Sequence, residues 1–182
     1  NYIGFMGATS WEGFYLQEAD GTVWHTAKSG STATPFFLTT DAAEGTWDLW
    51  FPGQSGCYYT NVNTTKKLWT ALWMPTLNVS GIDGGITMEY KRDKNQWQGI
   101  FTATGAGTIN IQMNGTGKLY DNTSVSGADN SIDDTKAKDT PFAFNGSANE
   151  LTFNTGTNVS AGNITVNVPA AGAVSYTHLR AH

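Results

Sequence analysis

Alternation of apolar and polar side chains is the strongest signal along the chain. Thr108-Ile109-Asn110-Ile111-Gln112-Met113 alternates strictly, and so does Asn163–Val168. Period two sends successive side chains to opposite faces of a sheet, so both segments predict half-buried antiparallel strands. Shorter apolar runs bounded by turn residues predict more strands at Tyr2–Gly7, Phe14–Leu16, Thr22–Thr26, Phe36–Thr39, Thr46–Phe51, Cys57–Val62 and Lys66–Trp73. Glu18-Ala19-Asp20-Gly21 closes a hairpin. Pro75 has no N–H for a ladder and ends the strand before it. Ile86–Lys91 and Asn95–Ala103 pair over the polar turn Arg92-Asp93-Lys94, and Phe142–Phe144, Glu150–Phe153 and Gly162–Val168 follow. Asp121–Thr140 is polar and reads as a long loop. No stretch carries a helical stripe of several turns.

The pattern recurs at intervals of about 50 residues, a period that implies stacked supersecondary units. Gly45–Trp69 lines up with Gln96–Tyr120: Trp47 with Trp97, Cys57–Asn63 with Thr108–Asn114, and Lys67-Leu68-Trp69 with Lys118-Leu119-Tyr120. A third copy sets Gly162–Val168 against Gly56–Val62. The expected fold is all-β, with antiparallel sandwich-like modules built from these repeats of short strands. Blades of a propeller are the other arrangement with four strands in such a period. The Gly- and Asp-bearing Asn78–Gly85 segment marks a boundary, giving modules over residues 1–80 and 81–174. Residues 175–182, SYTHLRAH, break the composition of everything before them. They resemble translated sequencing-adapter read-through and are set apart from the fold.

Composition narrows the function classes. In 182 residues, aromatics reach 13% while charge stays at 14%, and the net charge is −5. Phosphate neutralisation needs clustered Lys and Arg, so nucleic acid is not an expected partner. No window approaches the ~18 apolar residues of a membrane-spanning helix. Asn1 rather than Met opens the chain, which reads as a mature form or a piece of a longer one. The lone Cys57 forms no internal disulfide and is expected to be a buried small apolar residue.

The informative excess is tryptophan: Trp11, Trp24, Trp47, Trp50, Trp69, Trp73 and Trp97. Trp47 and Trp97 recur at matching positions and are expected in the core. Trp50 and Trp73 have no counterpart in the next copy, and Trp69 is matched only by Tyr120. An indole left open to water stacks on the C–H face of a pyranose, burying apolar area worth about 25 cal/mol per Å² at little entropy cost. Polar neighbours then hold the sugar hydroxyls. Period two places Lys67, Trp69 and Trp73 on one strand face. The expected ligand-binding residues are therefore Trp50, Trp69, Trp73, Tyr59, Lys67, Asn63 and Asp48. The competing expectation packs these aromatics between strands of a structural spacer.

Tyr2-Ile3-Gly4-Phe5-Met6-Gly7-Ala8-Thr9-Ser10-Trp11, with the Trp47–Trp69 and Trp97–Tyr120 units, resembles a family of glycan-binding lipoproteins. These are the E and F components of starch-utilisation-type systems in the outer membrane of Bacteroidetes. The resemblance implies tandem β-sandwiches without catalytic activity, exported to the cell surface. It also implies α-glucan bound by aromatics with Lys, Gln or Asn, and other outer-membrane uptake components as partners.

Enzyme chemistry finds less support in the residues. A glycosidase needs two carboxylates about 5–10 Å apart, and nothing in the sequence pairs Glu12, Glu44, Asp48 or Glu89. His25 is the one histidine before the tail, with no nucleophile elbow to accompany it. Asp129-Asn130-Ser131-Ile132-Asp133-Asp134 has calcium-like oxygen density but lacks the loop glycine and distal Glu. The expectation is a non-enzyme without cofactor or metal. A glycoside hydrolase fragment is the least favoured reading.

Overall fold

The structure is a computed structural model and describes residues 1–45, 48–126, 131–147 and 150–178. Trp47, Asp129, Asn130 and Leu179–His182 lie outside the described residues. Among the described residues the chain is antiparallel β structure with two single turns of 3-10 helix and no α-helix. The fold is all-β and sandwich-like, as the alternation predicts.

The chain divides into two compact units. The first holds Asn1–Trp73 and Lys118–Lys138. Its strands are β1 (Tyr2–Ala8), β2 (Gly13–Phe14), β3 (Leu16–Gln17), β4 (Val23–Ser29), β5 (Thr32–Thr39), β6 (Leu49–Trp50), β7 (Gly56–Asn63) and β8 (Leu68–Met74). β1, β7, β8, β5, β4 and β3 neighbour one another in that order, while β2 and β6 form a separate ladder. The expected hairpin at Glu18–Gly21 is present. Gly21 takes φ +92° and its N–H donates to the Glu18 carbonyl at 2.9 Å. The core gathers Met6, Ala8, Tyr58 and Val62 from β1 and β7 against Phe36, Phe51 and Trp69. Alternation explains the choice, since residues 57, 59 and 61 of β7 point away from that core. Cys57 is buried as expected.

The described parts of Asp121–Thr140 are more ordered than their polarity implies. Val125 bridges to Ile132, and the Asp133 carboxylate accepts from the Thr135 N–H at 2.9 Å to cap a turn over Asp134–Lys136. Ile132 and Ser124 are buried, and Tyr120 donates its hydroxyl proton to Asp134 at 2.7 Å. Two anchors suffice to pin a polar segment, and a window average over mostly polar residues hides them.

The second unit takes Met74–Gly117 and resumes at Asp139. Its strands are β9 (Leu77–Ser80), β10 (Ile86–Lys91), β11 (Gln96–Ala103), β12 (Gly107–Tyr120), β13 (Lys138–Ser147), β14 (Glu150–Thr155), β15 (Ile164–Val168) and β16 (Gly172–His178). β16, β11, β10, β9 and β12 are successive neighbours, with β13 and β15 also on β12. Trp97 is buried, as its recurrence predicts, with Tyr90 at a ring distance of 5.4 Å. Asn95 takes φ +49° to close the β10–β11 hairpin. The chain thus leaves the first unit at Met74 rather than at residue 81 and returns to it at Lys118, so the units interleave along the sequence. Ser175–His178, set apart on composition, continue β16 and pair with Trp97–Ile100 of β11.

The two best-aligned repeat segments take different courses. Asn63–Lys67 is a turn: Asn63 Oδ1 accepts from the Lys66 N–H at 2.9 Å, and Lys67 takes φ +54°. The matching Asn114–Lys118 runs straight on within the 14-residue β12. Gly115 lies within this straight stretch. A Cβ there would lie 2.5 Å from the Phe142 ring and 2.7 Å from the Thr76 carbonyl oxygen, so the bare backbone admits both neighbours. Gly115→Ala is expected to destabilise the protein by about 1–3 kcal/mol, read from urea unfolding. An unchanged midpoint contradicts this account of β12.

Candidate functional site

The residues expected to bind ligand fall in three places. Lys67 and Asn63 belong to the β7–β8 turn. The Asn63 side chain is engaged in holding that turn, and the Lys67 carbonyl accepts from the Leu38 N–H at 2.9 Å. Tyr59 is half-buried on the opposite face of β7, with its ring 5.1 Å from that of Phe5. Trp69 and Trp73 do share a strand face, but it is the face turned to the core.

Trp69 is only 2% exposed and is enclosed by Phe36 at 4.9 Å, Phe14 at 5.2 Å and Phe51 at 6.1 Å. No sugar reaches it, which removes it from the expected platform. Trp73 is half-buried and spends its indole N–H on the Ser55 carbonyl at 3.1 Å. Trp50 is half-buried and packs on the core margin. The expected ledge of Trp50, Trp69 and Trp73 is therefore not an open surface. The physical reason lies in the turn: with Lys67 at its end, the alternation that follows puts residues 69, 71 and 73 inward.

Among the described residues, the open aromatics of the first unit are Tyr2, Trp11, Tyr15 and Phe37, of which Trp11 and Tyr15 are the most exposed. Trp11 is 52% exposed and Tyr15 is 72% exposed. Trp11 sits at φ +58°, a region that costs a non-glycine residue on the order of 1–2 kcal/mol. The turn carrying it is clamped at several points. Its N–H donates to the Pro52 carbonyl at 3.1 Å, and the Ser10 N–H donates to Ser55 Oγ at 3.0 Å. Glu12 Oε2 accepts from the Thr9 N–H at 2.7 Å, and the Glu12 carbonyl accepts from the Phe51 N–H at 2.8 Å. A Cβ on Gly53 would stand 2.9 Å from Trp11 Cζ2, so the indole lies directly on bare backbone.

The small β2–β6 ladder extends this region. Gly13 faces Trp50 and Phe14 faces Leu49. Phe14 and Leu49 go to the core. Asp48 leans over Gly13, its Oδ2 3.6 Å from where a Cβ would sit. The same carboxylate acts on the Tyr15 phenol and holds it above its usual pKa. Trp11, Tyr15 and Asp48 thus present an indole, a phenol and a carboxylate from neighbouring chain segments. Of the residues singled out in the sequence, Asp48 belongs here and Trp50 borders it. The missed signal was Trp11 within the polar turn Thr9-Ser10-Trp11-Glu12. A strand can turn its tryptophan inward, whereas a turn held from both sides has no inward face to offer.

Among the described residues no group of three or more His, Cys, Asp or Glu side chains is placed to hold a metal. Of the calcium-like segment, Asp133 caps the turn described above. His25 lies in β4 opposite Thr39 as an ordinary strand residue.

Residues 1–74 match the family model of a domain of unknown function, DUF5111. Trp11, Tyr15, Asp48 and Gly53 all lie within that stretch. No curated protein and no solved structure matches the chain.

Proposed function

We propose that the protein is a non-catalytic carbohydrate-binding module that takes a polysaccharide at the bacterial cell surface. Trp11 serves as its platform, with Tyr15 and Asp48 on the polar flank. One observation carries the reading. A large indole is held half in water by a left-handed backbone that glycine would adopt without strain, in a unit that buries Trp24 and Trp69. Strain and exposure at one residue mark a position kept for something other than folding. An indole face with a carboxylate acceptor and a phenol nearby suits the C–H face and the hydroxyls of a pyranose.

The family resemblance favours an α-glucan and partners in outer-membrane uptake. The carboxylates of the site and its turn, Asp48 and Glu12, favour neutral glycans over polyuronates. Affinity electrophoresis on starch, xylan, mannan and mixed-linkage glucan gels is expected to show retardation on at least one, and none on pectate. Free migration on every neutral gel overturns the proposal. Gly53→Ala is expected to lift the indole off its seat and weaken retardation about tenfold, a loss of 1.4 kcal/mol.

A spacer module is the second reading. It is favoured by the packing of Trp50, Trp69 and Trp73 on the core. It expects no glycan response from Trp11.

A further inference from the structure

Two hairpin loops of the second unit border one pocket. Residues 81–85 join β9 to β10, and residues 104–106 join β11 to β12. Glycine sets the course of the first loop. Gly81, Gly84 and Gly85 take φ +87°, +75° and +60°, and the Gly85 N–H donates to the Ile82 carbonyl at 2.9 Å. A Cβ on Gly81 would run into the Asn110 carbonyl oxygen. The loop therefore lies on the bare backbone of β12, which fixes where Ile82 and Asp83 stand.

The pocket has a volume of about 120 Å³. Its buried lining is apolar. Phe101 is buried, while Ile82 and Ile109 are half-buried. Ile109 shares its face of β12 with the buried Ile111 and Met113. The exposed side chains along the pocket are polar: Asp83, Thr102 and Thr104. The Asp83 carboxylate has no hydrogen-bond or ion-pair partner among the described residues.

A cavity of ~150 Å³ walled by Leu, Ile and Phe holds a benzene-sized ring. The present pocket thus takes a single ring rather than the interior of a polymer. An ammonium on that ring gives the free carboxylate a charge-assisted bond, roughly twice as strong as a neutral one. The net charge of −5 draws cations toward the protein as a whole.

We propose that this pocket binds a six-membered ring bearing a primary ammonium group, with the ring against Ile82, Phe101 and Ile109 and the ammonium on Asp83. An amino sugar and an alicyclic amine share that chemistry. None of these residues belongs to the Trp11 site, and the proposal stands apart from the saccharide reading.

The test is a titration of the full chain followed by the methyl proton–carbon resonances of its isoleucines. The probes are glucosamine and cyclohexylamine, with glucose and cyclohexanol as their neutral counterparts. The Ile82 and Ile109 methyls are expected to shift saturably with at least one amine, and its neutral counterpart is expected to bind about tenfold more weakly. The tighter amine names the source of the ligand. Asp83→Asn is expected to erase the preference for the amine while the unfolding midpoint stays level, because that carboxylate holds nothing in the fold. Methyls that stay fixed with both amines at about 10 mM overturn the proposal. So does a neutral ring that binds as tightly as its amine, or an Asp83→Asn variant that keeps the preference.

Discussion

Trp69→Ala is expected to cost about 3–5 kcal/mol of folding stability. Its ring fills the space between Phe14, Phe36 and Phe51, two of them in edge-on geometry near 85°. Truncation leaves a cavity that β8 cannot close, because Leu68 at its start is tied in register to Phe37 of β5. Against the 5–15 kcal/mol that holds a typical domain together, such a loss leaves the first unit marginal. Guanidinium unfolding of the variant reads it directly. A loss below about 1 kcal/mol contradicts the placement of Trp69 in the core. The folded fraction is expected to bind glycan with unchanged affinity, which separates this residue from the surface platform.

Trp11→Gly is expected to have the opposite profile. Glycine adopts the +58° backbone angle without penalty, and the indole makes no contribution to the core cluster. Stability is expected to stay level or rise by about 1 kcal/mol, while glycan retardation is lost by at least about tenfold. Loss of function with gain of stability is what distinguishes a strained binding residue from a packing residue. A Trp11→Gly variant that unfolds early while still binding starch reverses the assignment.

The sequence revealed the strands well and the site poorly, and the two outcomes share a cause. Strict alternation over Thr108–Met113 and Asn163–Val168 reports burial on one face, and both segments are strands. The same alternation placed Lys67, Trp69 and Trp73 on one face but says nothing of which face is wet. That was decided by the turn at Asn63–Lys67 and by Phe14 and Phe51, which arrive from distant parts of the chain. Trp11 carries no periodic signal at all. Its exposure follows from a turn held by Pro52 and Ser55, about 40 residues away in sequence. The aligned segments are strands in both copies and part only locally, Asn63–Lys67 turning where Asn114–Lys118 continues β12. The discontinuous units depend on Lys118–Tyr120 pairing with Ala71–Trp73, a long-range choice that no window registers.

The central claim is that a saccharide settles on Trp11. The chain carries seven indole N–H groups, each giving its own proton–nitrogen resonance. Titration with a maltooligosaccharide is expected to move the Trp11 resonance saturably while those of the buried Trp69 and Trp97 stay fixed. A Trp11 resonance that holds still across a panel of neutral oligosaccharides contradicts the claim.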